Sequence, residues 1–420
     1  MRRVTVGEDL VLEHVDRAAD LWQARAALVR SRVHGLQDLA ELDGRIRAHL
    51  HGAVVAGPAG WSVERWPTSS RPQMAFVALV VAGLLGRRDW IEDVVSHYDS
   101  PEAESALISG LGWLPWKGIH RMVDDWLGYH GPRWRALGIA AAIAHRRDPR
   151  SAIDRGLMDD DPRVLRQAIR ACGVFGRRAL HLTLLAVANG ASDDVRRRVA
   201  TALVALGDRQ GPIFLWETAR RLEGDAALEA AELAVRQISI AKARQWLDEV
   251  SGCPRLRRLA VVAATATRSQ DCAHHLVAGL DHPETAALAT YGFATVFGLN
   301  SYAVESAVPE ARSADPELPQ PDVSAVRQWW AESEPRFDSQ TRWQGGHRFS
   351  LAVANEVLIY GVQHERRLAA VDLQLDGESS LPFEVDAPGW RQRPGLGLAP
   401  SNPPGPSAQR GGRGPNSSMH

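Results

Sequence analysis

The sequence predicts an all-α protein, an α-solenoid of about eight short helical hairpins of ~30 residues, with helical caps at both ends. Two observations carry this. Apolar residues recur at helical spacing along most of the chain, and one start signal returns at a nearly constant interval. In "DDDPRVLRQAIRACGVFGRR" Asp161 can cap free helix N–H groups, and Pro162 fits the first helical position, where its missing donor costs nothing. Val164, Ala168, Ile169, Cys172 and Phe175 then form one apolar stripe, with Arg163, Arg166 and Arg170 off it. Gly173 and Gly176 loosen or end the helix before a second apolar run, "ALHLTLLAVA".

The same design recurs. Met74, Ala103, Trp134, Val164, Val195, Ala226, Leu256 and Thr285 occupy the equivalent position, 29 to 31 residues apart. A unit of that size with two helical patterns cannot bury its apolar face alone, so neighbours must stack.

Four regions follow in order. Residues 1–60 read as an N-terminal helical cap, two amphipathic helices joined around Val33–Gly35 and covering the first repeat. Residues 61–308 are the repeat solenoid. Residues 309–390 hold a proline-rich linker and a helical unit containing "VRQWWAESEPRF", "FSLAVANEVLIYG" and "QHERRLAAVDLQL", the last expected to dock this unit. Residues 391–420, rich in Gly, Pro, Ser and Arg, are expected to be a disordered tail.

The units resemble short bacterial HEAT repeats, in which an Asp-x-Asp-Pro cap precedes Val-Arg and an alanine-rich helix. Asp160-Asp161-Pro162-Arg163-Val164 and Asp193-Asp194-Val195-Arg196 carry that pattern best. The flanks are more specific. "LWQARAALV", "LQDLAELDGRIRAHLHG" with "AGPAGW", and "HRFSLAVANEVLIYGVQHERRLAAVDLQL" with "WRQ" resemble an uncharacterised proteobacterial HEAT-repeat family over about Leu12 to Trp390. Its genes often lie among type VI secretion accessory genes. The resemblance implies a secretion-accessory context and carries over no catalytic residue.

Composition excludes several classes. A formal net charge of −1 gives no global attraction to nucleic acid or anionic membrane. Three scattered cysteines, Cys172, Cys253 and Cys272, make no disulfide framework and fit a reducing, cytoplasmic setting. The charged N-terminal stretch does not read as a signal peptide, and no apolar run approaches a membrane span. Cys272, His274 and His275, with Cys253, are metal-ligand types, but adjacent helical side chains diverge by about 100°, so the two histidines are not expected to share an ion. Asp159–Asp161 lack calcium-loop spacing and read as a cap. No P-loop, dinucleotide fingerprint, nucleophile elbow or zincin motif occurs, so no catalytic residue, metal or cofactor is assigned.

Charge is unevenly distributed. Residues 131–210 hold 15 arginines against 8 acidic residues, whereas 211–386 hold 16 basic against 25 acidic. Arg163, Arg166, Arg170, Arg196, Arg197 and Arg198 are therefore candidate contacts for an acidic protein segment, with Trp113 and Trp116 as candidate aromatic anchors. Lysine is absent from this basic stretch and few aromatics interleave with it, which disfavours nucleic acid. The expected function is a non-catalytic protein-binding scaffold whose partner is an effector, an adaptor or a secretion spike component. The alternatives are an enzyme or lyase-like cofactor handler, favoured by a cleft of converging titratable groups over a smooth groove, or a nucleic-acid-backbone binder.

Overall fold

The computed structural model describes residues 8–55, 71–128, 131–300, 315–377 and 381–399. Helices α1 (Glu8–Leu28) and α2 (Leu36–Val55) form the N-terminal pair. Hairpins follow: α3 (Gln73–Leu84) with α4 (Arg88–His97), α5 (Pro101–Trp113) with α6 (Trp116–Leu127), α7 (Pro132–Ala144) with α8 (Ser151–Leu157), and α9 (Pro162–Val174) with α10 (His181–Ala188). Next come α11 (Asp193–Ala205) with α12 (Gly211–Ala219), α13 (Gly224–Arg236) with α14 (Ile240–Ser251), and α15 (Arg257–Thr267) with α16 (Ala273–Gly279). Helix α17 (Pro283–Phe297) opens a further unit whose continuation, 301–314, lies outside the described residues. The chain is an all-α helical-repeat solenoid.

Its regularity is local in origin. The recurring anchor is the third residue of α5, α7, α9, α11, α13 and α17 and the second of α3, while Leu256 immediately precedes α15. The Asp161 carboxylate accepts from the Arg163 N–H at 2.8 Å, with Pro162 at the first helical position. Ser100 caps α5 in the same way, accepting from the Ala103 N–H at 3.1 Å ahead of Pro101. Helix α9 ends before Gly176, whose φ of 63° is the left-handed conformation that favours glycine.

The first helices of the hairpins pack on one another in a single row from α3 to α17, and the second helices lie behind it: α4 packs on its own partner, α6, α8, α10 and α14 on the first helix of the following hairpin, and α12 and α16 on both. Small residues set the spacing: a Cβ at Gly173 of α9 would stand 3.1 Å from the Ala202 Cα of α11. The core runs through the stack, from Phe76 and Leu107 through Ile139 and Ile169 to Phe293, all buried. Truncating one such residue to alanine typically costs about 2–5 kcal/mol.

The C-terminal unit comprises α18 (Val323–Ser333), a short antiparallel hairpin of β1 (Trp343–Gln344) and β2 (His347–Arg348), then α19 (Leu351–Tyr360), α20 (Gln363–Leu375) and α21 (Gly389–Gly395). It docks on the first-helix row and meets the N-terminal pair. Gly35 and Val362 form an antiparallel bridge, the Gln363 N–H donates to His34 O at 2.8 Å, and the His364 N–H donates to Ser31 O at 2.9 Å. The α1–α2 turn also reaches the far end of the stack, where Arg32 lies over the Tyr291 ring of α17 at 5.9 Å. The solenoid therefore curls until its cap meets its last described repeat helix.

The first-helix row is covered by α20 and its neighbours, and one expectation is corrected. Helix α20 buries polar side chains, Gln363, Arg366 and Asp372, together with Ala369, Ala370 and Leu373. Residue 391 does not open a disordered tail: α21 continues to Gly395, with Gln392 1 % exposed. Residues 400–420 lie outside the described residues.

Candidate functional site

The interior holds two different environments. Around α13, α15 and α20 it is filled. Asp372 accepts from Arg236 and, at 3.0 Å, from Arg268, and all three side chains are buried. The Arg268 guanidinium also stacks over Phe349 at 3.7 Å. Burial opposes ionisation of Asp372, but the two arginines prevail and hold its carboxyl below the usual range. Arg342 donates to Thr267 O at 3.0 Å and to Ile238 O at 2.5 Å, satisfying carbonyls at the ends of α13 and α15. Arg366, with no exposed surface, donates to Leu358 O at 2.8 Å and to the Gln392 side chain at 2.6 Å, tying α20 to α21.

Nearer the N terminus the interior is open. A cavity of about 430 Å³ lies between α1, α5, α9 and the segment 384–391, within the size range of ligand sites. The Arg25–Asp43 pair forms its floor: Arg25 Nε donates to Asp43 Oδ1 at 2.5 Å and Nη2 to Asp386 O at 2.9 Å, while the Gly389 N–H donates to Asp43 Oδ2 at 2.7 Å. The carboxylates at the rim are already engaged, Glu384 by Arg146 and Asp386 by Arg367. Arg391 donates to the carbonyls Gly112 O at 2.5 Å and Ala144 O at 3.1 Å. Arg170, exposed on α9, lines the cavity and makes no hydrogen bond or ion pair with any described residue. The local positive charge exceeds its carboxylate partners, which is the electrostatic requirement for drawing in an anionic group.

The residues anticipated from sequence divide accordingly. Arg163 is held by its own cap, Asp161, at 2.9 Å and by Asp99 at 3.4 Å. Arg196 pairs with Asp193 at 3.8 Å, and Arg197 and Arg198 share Asp194 at 3.1 and 2.9 Å, so the α11 set is compensated along its own helix. Arg166 and Arg170, one helical turn apart, make no ion pair with a described carboxylate, although Arg170 helps hold Asp386 ionised from across the cavity. Trp113 is buried, edge-on to Phe76 at 5.3 Å and to Trp390 at 4.5 Å, and forms a cavity wall. Trp116 is half-buried beside His145 at 5.2 Å and is away from the cavity. The structure thus gathers Arg170 and Trp113 and leaves the other six elsewhere. Sequence reasoning missed Arg25, Arg391 and Trp22, which come from the chain's two ends.

A second cavity, of about 690 Å³, opens between α17, α19, the α1–α2 turn and residues 316–319. Tyr291, Glu365, Glu317, Glu356 and His347 line it. Glu365 accepts from the Tyr291 hydroxyl at 3.1 Å and from Thr295 at 2.8 Å, and burial followed by this carboxylate pushes the phenol well above its usual value.

Of the cysteines and histidines, only the histidines depart from expectation. Cys172 and Cys272 are buried thiols pushed up to about 12 by desolvation, so both are protonated. His274 and His275 do converge, their rings 3.9 Å apart, and both face Asp248 of the preceding hairpin. The expected 100° divergence is overcome because His274 sits at the second position of the short helix α16, just after a 3-10 turn, and reaches back along it. Among the described residues no helix is long and apolar enough to cross a membrane. No family model matches the chain, and no curated protein matches it either.

Proposed function

We propose that this chain is a non-catalytic scaffold that binds a protein partner by admitting an acidic segment of it into the basic cavity. The supporting observation is Arg170, which makes no ion pair among the described residues and lines the cavity with Arg391 and the rings of Trp22 and Trp113; Arg166 lies one helical turn away on α9. Charge-assisted contacts to a carboxylate supply specificity, and indole surfaces supply apolar contact area. The curled scaffold keeps these groups fixed, so little ordering is needed on binding. The resemblance of the flanks implies a partner among the effectors, adaptors or spike components of type VI secretion. The test is capture of the products of neighbouring genes by the wild-type chain and by Arg166→Glu/Arg170→Glu. Loss of a captured partner in the variant supports the reading; equal capture overturns the assignment of this face.

The larger cavity favours a second reading, a handler of a small cofactor. Its volume suits a drug-sized molecule, and Tyr291, Glu365 and His347 give it polar groups on apolar walls. Native mass spectrometry of the purified chain tests this: a retained small molecule, lost in Tyr291→Phe/Glu365→Gln, supports it. A bare chain sinks it.

A further inference from the structure

We propose that Asp248, His274 and His275 form a zinc-binding site joining the second helices of two successive hairpins. Asp248 lies on α14, and the histidines open α16. His275 is 5 % exposed, and its Nε2 is buried without a hydrogen-bond partner. That nitrogen stands 3.2 Å from Asp248 Oδ1, close enough for a contact but outside hydrogen-bonding geometry. His274 Nε2 lies 3.5 Å from the same oxygen, and the three ligand atoms all lie within 4.8 Å of one another. Zinc bonds of about 2.0–2.2 Å at a tetrahedral angle hold neighbouring ligand atoms about 3.3–3.6 Å apart. The two spacings to Asp248, 3.2 and 3.5 Å, lie at that range, and the third is within 4.8 Å.

The surroundings favour the same assignment. His274 Nδ1 is 3.1 Å from Asp271 O, so it donates there and leaves the Nε2 lone pair directed at the site. Asp271 and the far side of Asp248 are engaged by Arg244, at 2.8 and 3.8 Å, which keeps Asp248 Oδ1 turned towards the imidazoles. Two imidazoles and one carboxylate suit zinc rather than magnesium or calcium, which take oxygen ligands. Asp248 and His274 are each about half exposed, so the fourth corner faces solvent, open to water or to a ligand from a partner. The site lies on the row of second helices and is independent of the basic cavity.

The test is titration of the metal-free full chain with Zn²⁺ by calorimetry, and with Co²⁺ by visible absorption. His274→Ala and Asp248→Asn, both at exposed positions that leave the core intact, serve as variants. One equivalent of Zn²⁺ should bind to the wild type, raising its melting temperature, and each variant should weaken binding at least about tenfold and abolish that rise. The Co²⁺ complex of the wild type should show the intense bands of a four- or five-coordinate ion. Failure of the wild type to bind overturns the proposal. So does binding unchanged in both variants but lost in His14→Ala, since His14 and His49 in the N-terminal pair lie 3.0 Å apart and would then be the true ligands.

Discussion

The two halves of the interior use the same residue for opposite ends. Towards the C-terminal half, Arg236, Arg268, Arg342 and Arg366 are buried against a carboxylate, helix-end carbonyls or a glutamine, and no cavity remains around the Asp372 pair large enough for a ligand. Towards the N-terminal half, Arg170 reaches an open cavity whose nearby acids are already paired. An arginine becomes available for recognition when the fold leaves it a neighbour too few, and local density of arginine does not determine that.

The largest effect belongs to the filled half. Asp372→Asn leaves Arg236 and Arg268 buried and unpaired, and breaking a buried pair in this way costs about 3–5 kcal/mol. Urea denaturation should show a lower midpoint, with the C-terminal unit detaching from the solenoid and its amides losing hydrogen-exchange protection. A midpoint unchanged from wild type would mean that the network does not hold the unit in place.

Acid should distinguish the halves next. His145, donating from Nε2 to Leu111 O at 2.9 Å near Arg391, is pushed down to about 4, chiefly by burial. The unfolded chain therefore binds a proton near 6.5 that the folded one refuses, and stability is lost as pH falls from about 6.5 to about 4, by about 3 kcal/mol at most. Asp372 has the opposite chemistry: held below the usual carboxylate range, it keeps its contribution until pH falls beneath that range. Segment-resolved hydrogen exchange at pH 7 and pH 5 should show α5 and α7 loosening before α13, α15 and α20. His145→Gln should flatten that slope, and simultaneous loosening of both halves would refute the assignment.

A smaller effect is expected from Arg170 at the cavity and Arg166 one turn away on α9. Arg166→Glu/Arg170→Glu should weaken partner binding by about tenfold or more, ~1.4 kcal/mol, with little change in the unfolding midpoint. Added salt should weaken the wild-type complex and leave the variant complex less affected.

How much of this was legible in the sequence follows from separation along the chain. Caps, anchors and the repeat period are local, so Asp161, Pro162 and Val164 announced their roles directly. Contacts between adjacent hairpins were legible in principle, since they join residues about one period apart: Arg135 to Asp159, Arg244 to Asp271, Arg257 to Glu284 and Arg177 to Asp148 are separated by 24 to 29 positions. Asp248 and His274 obey the same spacing, and a search at that interval would have brought them together. The closure was not legible. Arg25 and Asp386 are 361 residues apart, and nothing in either segment's periodicity names the other. The basic cavity is made by that closure, so only Arg170 and Trp113 of its lining could be named beforehand.

The smallest effect should come from the arginines that looked most promising in sequence. Arg197 and Arg198 lie 31 and 28 residues beyond Arg166 and Arg170 and belong to the same kind of cap-and-arginine segment. Yet Asp194 accepts from both, and although burial opposes it, their hydrogen bonds hold its carboxyl below the ordinary range. Exposed pairs of this kind contribute about 0.3–0.5 kcal/mol each. Arg197→Gln/Arg198→Gln should therefore shift the unfolding midpoint by less than about 1 kcal/mol and leave partner capture unchanged. Equal loss of the partner in this variant and in Arg166→Glu/Arg170→Glu would show that the summed field of the basic segment governs recognition. Retention here, with loss there, would show that recognition depends on which arginines the fold has left without a carboxylate.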